Sequence, residues 1–261
     1  MKLRSASLAF ALVAITLQAV ADTNKFDLIS SNGKNIGHAS YSISKAKTGY
    51  NVHSTFDVQV SNGGVNELQT QAGNGASRGG GGTFTDVQYS YDYKLGSDGS
   101  FLSGYAQATV TQTMIPMSVN KNRTEVTIAQ SRSGTVYGSE TVTLTKPDFL
   151  VLPNYDPGAI QAFITASLTN PRPDNKYLVL IPFNPDVGQS DNTAGFVTLK
   201  SEPDAKGTLD GKPVDLKHYS VEFRAGKTDI YTDGSGTVME VVMGALRATY
   251  VRSKFVLTPA S

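Results

Sequence analysis

Apolar and polar residues alternate with a period of two along much of this chain, and this pattern constrains its fold most. In the segment Gly37–Ile43 every second residue is small or apolar, and the series recurs from Tyr50 to Val60. Because successive side chains of a strand point to opposite faces, this pattern predicts strands with one buried and one hydrated face. Other strands, separated by turns rich in Gly, Asn, Asp and Ser, are predicted over 87–95, 101–110, 123–129, 135–145, 177–182, 194–202, 216–224, 228–232, 237–243 and 245–257.

One stretch of the chain predicts a helix. Asp156 is placed to cap it, Pro157 suits its first position, and Asn170-Pro171 ends it. Four apolar residues share one face, so the helix should lie against a sheet. These residues are Ile160, Phe163, Ile164 and Leu168.

Many strands in succession with almost no helix predict a mainly β protein. We expect an antiparallel, strongly curved sheet or an incomplete β-barrel with one short helix packed across it. Two antiparallel halves would be joined by a loop and the helix at about 146–170. The chain length suits a single β domain over 22–261.

The N-terminal segment 1–21 reads as a signal peptide. Lys2 and Arg4 precede an apolar run over 8–17, and Ala19-Val20-Ala21 forms a small-x-small cleavage pattern. The run is shorter than a membrane span of roughly 20 residues. We therefore expect an exported protein, periplasmic or extracellular, that is soluble after cleavage and has no transmembrane segment.

Charge and cysteine content exclude several classes of protein. The chain has 23 Lys and Arg against 22 Asp and Glu, and no Cys. This near balance argues against nucleic-acid binding and against a polybasic membrane patch. With neither a disulfide nor a thiol nucleophile, the fold must depend on its own core. No cofactor is expected, and the oligomeric state is left open.

A glycine-rich run, GNGASRGGGG, covers Gly73–Gly82. Phosphate-binding loops stand at the start of a helix. The dinucleotide-binding fingerprint Gly-x-Gly-x-x-Gly needs a third glycine where this chain has Arg78, and a P-loop needs a lysine that this run lacks. The run instead joins two predicted strands. We expect a flexible flap beside the strand face that carries Tyr89, Tyr91 and Tyr93. Arg78 would be the residue of the flap that contacts a ligand headgroup.

Two histidines are candidate metal ligands. His38 and His53 lie on the polar faces of neighbouring strands, and a register pairing Ile43 with Tyr50 would bring them within roughly 7 Å. Zinc sites need three or four ligands, and no third ligand is suitably spaced. Two solvated histidines are therefore the main expectation.

His218, Ser220 and Glu222 fall on one face of a predicted strand and are the candidate catalytic residues. Residues two apart on a strand are separated by about 6.5 to 7 Å, too far for Ser220 to pass its proton directly to His218. The predicted register places Glu222 opposite Asp229 and Ser220 opposite Tyr231. A hydrolase that uses His218 with nearby carboxylates remains an alternative.

Tyrosines form the main candidate ligand-binding surface. Tyr89, Tyr91 and Tyr93 make a stripe on one face, and Tyr41 and Phe56 lie on apolar faces of other strands. Tyrosine combines a large apolar ring with a hydroxyl, which suits a pocket for an amphiphilic ligand. Ordinary core packing is the other interpretation, for these rings and for the helix face alike.

Three stretches carry a family resemblance: NGKNIGHASYSISKAKTGYNVHS, LVLPNYDPGAIQAFITASL and VEFRAGKTDIYTDGSGTVMEVVM. They resemble secreted bacterial families of unknown function that are grouped by fold with the periplasmic lipoprotein carriers. The resemblance implies an incomplete β-barrel that holds acyl chains under a helical lid. It transfers no catalytic residue to this chain.

Three functions are compatible with these observations. The leading hypothesis is a non-catalytic binding protein that holds an apolar or amphiphilic, lipid-like ligand between sheet and helix. The second is a structural or interaction protein of the envelope with a filled core. The third is the hydrolase based on His218.

Overall fold

The structure is a computed structural model that describes residues 23–61, 84–110, 113–132, 135–151, 156–180, 194–223, 226–244 and 248–259. Within these ranges no helix is long and apolar enough to cross a membrane. The glycine-rich run and Arg78 lie outside the described residues, so the predicted flap stays a prediction.

The described elements are sixteen strands and one helix. The first eight strands are β1 (Asn24–Ser30), β2 (Asn35–Ala46), β3 (Gly49–Ser61), β4 (Phe84–Leu95), β5 (Phe101–Val110), β6 (Thr113–Asn122), β7 (Glu125–Arg132) and β8 (Thr135–Thr143). The others are β9 (Leu150–Val151), α1 (Pro157–Thr169), β10 (Lys176–Leu180), β11 (Ala194–Leu209), β12 (Lys212–Phe223), β13 (Gly226–Thr232), β14 (Val238–Met243), β15 (Ala248–Arg252) and β16 (Phe255–Leu257).

All the strands belong to one sheet. Its order is β8-β7-β6-β5-β4-β3-β2-β1-β15-β14-β13-β12-β11-β10-β9, and β16 pairs with β11 off this path. The described pairs are antiparallel except β9 with β10, which is parallel. The predicted fold class is confirmed: a large antiparallel sheet with one helix, not closed into a barrel. Strands β1, β6 and β9 were not predicted from the sequence.

The segment before the helix connects the two halves of the sheet. The Phe101 backbone N–H in β5 donates to the Phe149 carbonyl over 2.9 Å, and Leu150 then pairs with Val179 of β10. Phe101 and Phe149 also pack ring to ring, with centroids 5.5 Å apart. The residues Phe149 and Leu150 therefore link β5 to β10.

The helix begins and ends as predicted. The Asp156 carboxylate accepts a 2.8 Å hydrogen bond from the Gly158 N–H, and the Asn170 N–H donates to the Ala166 carbonyl. Its burial differs from the prediction. Leu168, placed on the packing face, is 45% exposed, whereas residues from several sides of the helix are buried. The helix is thus surrounded by the curved sheet and does not only lie across it.

A second, smaller core lies on the outer face of the sheet. β11 has a register shift between Glu202 and Ala205. Beyond it, β11, β12 and β16 pack against the face of β14 that points away from the main core. The buried side chains of this second core are Leu216, Met239 and Phe255.

Two hairpins have a register different from the predicted one. In β2–β3, Ile43 pairs with Val52, because Ala46 already pairs with Gly49 across a two-residue turn. In β12–β13, Ser220 pairs with Asp229 and Glu222 pairs with Lys227. Both differences are two-residue shifts, which keep each side chain on its predicted face but change its cross-strand neighbours.

Candidate functional site

The helix is held inside the sheet by a buried glutamine. Gln161 accepts hydrogen bonds at its Oε1 from the Tyr41 hydroxyl and the Val238 N–H, both at 2.8 Å. Its Nε2 donates to the Gly236 carbonyl at 2.9 Å and to the Thr165 hydroxyl at 3.1 Å. All its polar capacity is therefore used, and three of its four hydrogen bonds join the helix to the sheet and the turn before β14.

The first turn of the helix is wedged against β2 and β3. A Cβ added at Gly158 would lie 2.2 Å from the Ser54 Oγ and 2.8 Å from the Tyr41 Cβ, so only glycine fits without movement. The capping carboxyl of Asp156 is fully buried. Burial raises its pKa, and the neighbouring Ser54 and Tyr93 hydroxyls oppose that rise.

The predicted aromatic stripe is a continuous stack on the inner face. The ring centroids of Phe56 and Tyr89 lie 4.5 Å apart, those of Tyr89 and Tyr91 5.8 Å, and those of Tyr91 and Tyr93 6.0 Å. Tyr89 is partly exposed, and the other three rings are buried. The buried candidate ligand residues packed in the same core are Tyr41, Ile160, Phe163 and Ile164.

Little space remains between these rings and the helix. A cavity bordered by Tyr93, Leu150 and Phe163 has a volume of about 10 Å³. This is about the space that one water molecule needs. The space between the helix and the aromatic stack is therefore filled by side chains, as in a protein core. An open cleft of about 910 Å³ lies at the C-terminal end of the helix, bordered by Ala166 and Asn170.

Another cavity lies on the outer face of the first half of the sheet. It is an open groove of about 460 Å³ that crosses strands β1 to β5. The cross-strand partners along its floor are Lys25, Ser40, Thr55, Ser90 and Gln107, one residue from each strand. The central three have short side chains, and the Ser40 and Thr55 hydroxyls are 2.9 Å apart.

Longer side chains border this floor on both sides. One wall consists of the paired residues Asp27, His38, Asp57, Gln88 and Thr109. On the other side of the floor, next to the residues that line the cavity, lies a third row of paired residues: Ser42, His53, Asp92 and Tyr105. Because the rows run across the strands, the groove follows directly from the register of the sheet. We call these three rows the outer groove.

Each candidate metal ligand is paired with an aspartate in the outer groove. His38 Nδ1 lies 2.8 Å from Asp27 Oδ1, and His53 Nδ1 lies 2.8 Å from Asp92 Oδ1. The expected proximity of the two histidines is wrong, because His38 pairs with Asp57 and His53 pairs with Ser42. In the described ranges no three His, Asp or Glu side chains are placed to hold a metal.

The candidate catalytic residues lie in a polar cluster on the outer face of the second half. His218 Nε2 is 2.9 Å from Asp229 Oδ1, and its ring stacks on Tyr231 with centroids 4.3 Å apart. The Ser220 hydroxyl donates to Glu202 at 2.6 Å and not to His218. Glu222 is exposed, 3.5 Å from Lys200. These contacts do not make Ser220 a nucleophile activated by histidine.

Replacing Ser220 by alanine should raise the pKa of Glu202 towards its ordinary value. The Ser220 hydroxyl is the largest cause that lowers this pKa, ahead of the nearby Lys227 ammonium. Carbon-13 NMR titration of the glutamate carboxyls would measure the change, with Ser201→Ala as the control on the opposite face. An unchanged Glu202 titration would show that the 2.6 Å hydrogen bond is absent in solution.

Comparisons with known proteins agree with the β-barrel-like architecture. No protein-family model matches the chain, and no curated protein matches it. A crystal structure of a β-barrel-like protein of the domain of unknown function DUF1849, from Brucella abortus, is similar, with a TM-score of 0.51 and 10% sequence identity. The similarity covers 91% of this chain and 97% of that chain. It supports the fold alone and does not single out the lipoprotein carriers.

The sequence analysis missed most of the outer groove. Thr55, Ser90 and Gln107 occupy ordinary outward positions of alternating strands, and no local motif distinguishes them. The available signal was the abundance of hydroxyl and amide residues on the polar faces of the first strands. Without the register, those residues could not be aligned into rows.

Proposed function

We propose that this chain is a non-catalytic binding protein whose ligand occupies the outer groove. The observation that carries the proposal is the contrast between two spaces: about 460 Å³ in the groove and about 10 Å³ between the helix and the aromatic stack, where a ligand under the helix would lie. Small-molecule sites are typically clefts of about 300 to 1,000 Å³. The groove reaches that size, and the space between the helix and the aromatic stack does not.

The polar side chains of the groove favour a polar ligand. The Phe26 and Phe56 rings border the groove but are buried in the main core on the other face. Hydroxyl, amide, carboxylate and imidazole groups thus line the groove together with the partly exposed ring of Tyr89. A lipid-like ligand between sheet and helix, the leading sequence-based hypothesis, would require the helix to move and Gln161 to lose its partners.

Two-dimensional NMR of the full chain with three probe classes would test the proposal. The probes are cellohexaose, the peptide Ala-Ala-Lys-Ala-Ala, and a fluorescent fatty acid. We expect at least one polar probe to shift the amide signals of Thr55 and Ser90, without shifts at Ala159 or Phe163. The proposal would be overturned if neither polar probe shifted these amide signals, or if the fatty acid shifted the signals of Ala159 or Phe163 in the helix.

A groove-filling variant sharpens the same test. Ser90→Trp places a large ring on the floor, whereas Ser44→Trp adds the same ring to an exposed outer-face position of β2 beyond the rows. We expect Ser90→Trp to weaken binding of the active polar probe at least tenfold, as measured by calorimetry. Equal affinity of both variants would place the ligand elsewhere.

A further inference from the structure

The shape of the outer groove restricts its ligand, given the proposed function on which this inference rests. The floor crosses five adjacent strands, which spans four strand spacings or roughly 19 Å. The outer two of the three rows are four residues apart along each strand, about 13 Å. A ligand that fills this space is elongated and lies across the strands.

The groove's charge argues against an anionic ligand. Lys25 is the cation of the floor, and the adjoining wall carries the carboxylates of Asp27 and Asp57. Asp92 adds a third carboxylate in the third row. The described rows thus hold three carboxylates and one lysine, so phosphate, sulfate and uronic-acid groups would meet like charge.

The groove floor also disfavours recognition of a peptide backbone. An extended peptide usually gains its main-chain hydrogen bonds by adding to an exposed sheet edge. Here β2, β3 and β4 each have a hydrogen-bonded neighbour on both sides, so their backbone groups are already used. Recognition must come from side-chain hydroxyls, amides and carboxylates.

An exposed aromatic ring stands at one end of the groove. Tyr105 is 44% exposed and precedes Gln107 by two residues on the same face of β5. Its cross-strand partner Asp92 forms a hydrogen bond with His53. An accessible ring beside hydrogen-bonding groups can pack on the apolar C–H face of a sugar while its neighbours bind the hydroxyls.

From these observations we infer that the outer groove binds a short, uncharged linear oligosaccharide, with one sugar ring packed on Tyr105. The hydroxyls of the sugars replace water at Ser90, Thr55 and Gln107. The carboxylates of Asp57 and Asp92 accept hydrogen bonds from sugar hydroxyls, which makes these bonds stronger than neutral ones.

A glycan array probed with the full chain tests the ligand class. The array carries uncharged oligosaccharides, including β-linked and α-linked glucose hexamers, beside uronic-acid and sulfated glycans. We expect binding to uncharged glycans and none to the acidic ones. Preference for acidic glycans overturns the inference, and so does a groove that binds the peptide probe but no glycan. The latter result leaves the proposed function standing.

Matched variants test the position of the ligand. Tyr105→Ala removes the ring at the groove, and Phe196→Ala removes an equally exposed ring, 43% against 44%, outside it. We expect Tyr105→Ala to weaken binding of the best glycan at least tenfold and Phe196→Ala less than twofold, with unchanged circular dichroism. Similar effects of the two substitutions would contradict the assigned role of Tyr105.

Discussion

Gly158→Val is expected to destabilise the folded protein on the order of 3 kcal/mol. Even the Cβ of the new side chain would meet the Ser54 Oγ at 2.2 Å and the Tyr41 Cβ at 2.8 Å. The Ser54 hydroxyl can rotate, but the Tyr41 Cβ is fixed to its backbone. The helix must therefore move away from β2 and β3, which strains the contacts of Gln161 with the sheet. Urea unfolding followed by circular dichroism measures the loss.

Gly234→Val is the control for this experiment. Nothing lies within 4 Å of a Cβ added at Gly234, which is in the exposed turn before β14. We expect its free energy of unfolding to stay within about 0.5 kcal/mol of that of the parent chain. A Gly158→Val variant as stable as this control would show that the helix is not wedged against the sheet.

Glu240→Gln should stabilise the protein at pH 8 but not at pH 4.5. Glu240 lies on β14 between Tyr231 and Val251, beside the second core, and is only 8% exposed. Burial raises its pKa from an ordinary value of 4.5 to about 7. Between pH 4.5 and about 7 the Glu240 carboxyl is ionised in the unfolded chain but still protonated in the folded protein. Rising pH therefore favours unfolding. Glutamine has no proton to lose.

The size of this effect follows from the pKa difference. Each pKa unit corresponds to about 1.4 kcal/mol, so the variant should be more stable at pH 8 by an amount on the order of 3 kcal/mol. The stabilising contribution of the protonated Glu240 is complete below pH 4.5 and is lost as the pH rises through about 7.

Urea unfolding at both pH values would measure the effect, with Glu222→Gln as the control. Glu222 is exposed and 3.5 Å from Lys200, so its substitution should change stability little at either pH. Equal stability of Glu240→Gln and the parent chain at pH 8 would show that the Glu240 carboxylate is solvated.

Alternation and turn residues were enough to predict the fold class and the helix. The pattern around Tyr41 and Val52 identified which residues face inward, and Asp156 and Pro157 marked the start of α1. Which residues of the helix are buried was not predictable, because it depends on how far the sheet curves around it. Leu168 shows this, since its position on the apolar face did not bury it.

The candidate site was less predictable, because it depends on register. A two-residue turn at Lys47-Thr48, where a longer turn was expected, separates His38 from His53 and places His38 opposite Asp57. A similar shift places Ser220 opposite Asp229. Turn length fixes such neighbours, and the strand sequences alone leave it undetermined.

The rows of the outer groove have a consequence for how this surface can change over evolution. Each floor residue, such as Ser40 or Ser90, comes from a different strand and lies between inward residues that build the core. In these strands the inward residues therefore determine folding, and the outward residues determine recognition independently of them. Ligand preference can be altered one position at a time while the core sequence stays constant.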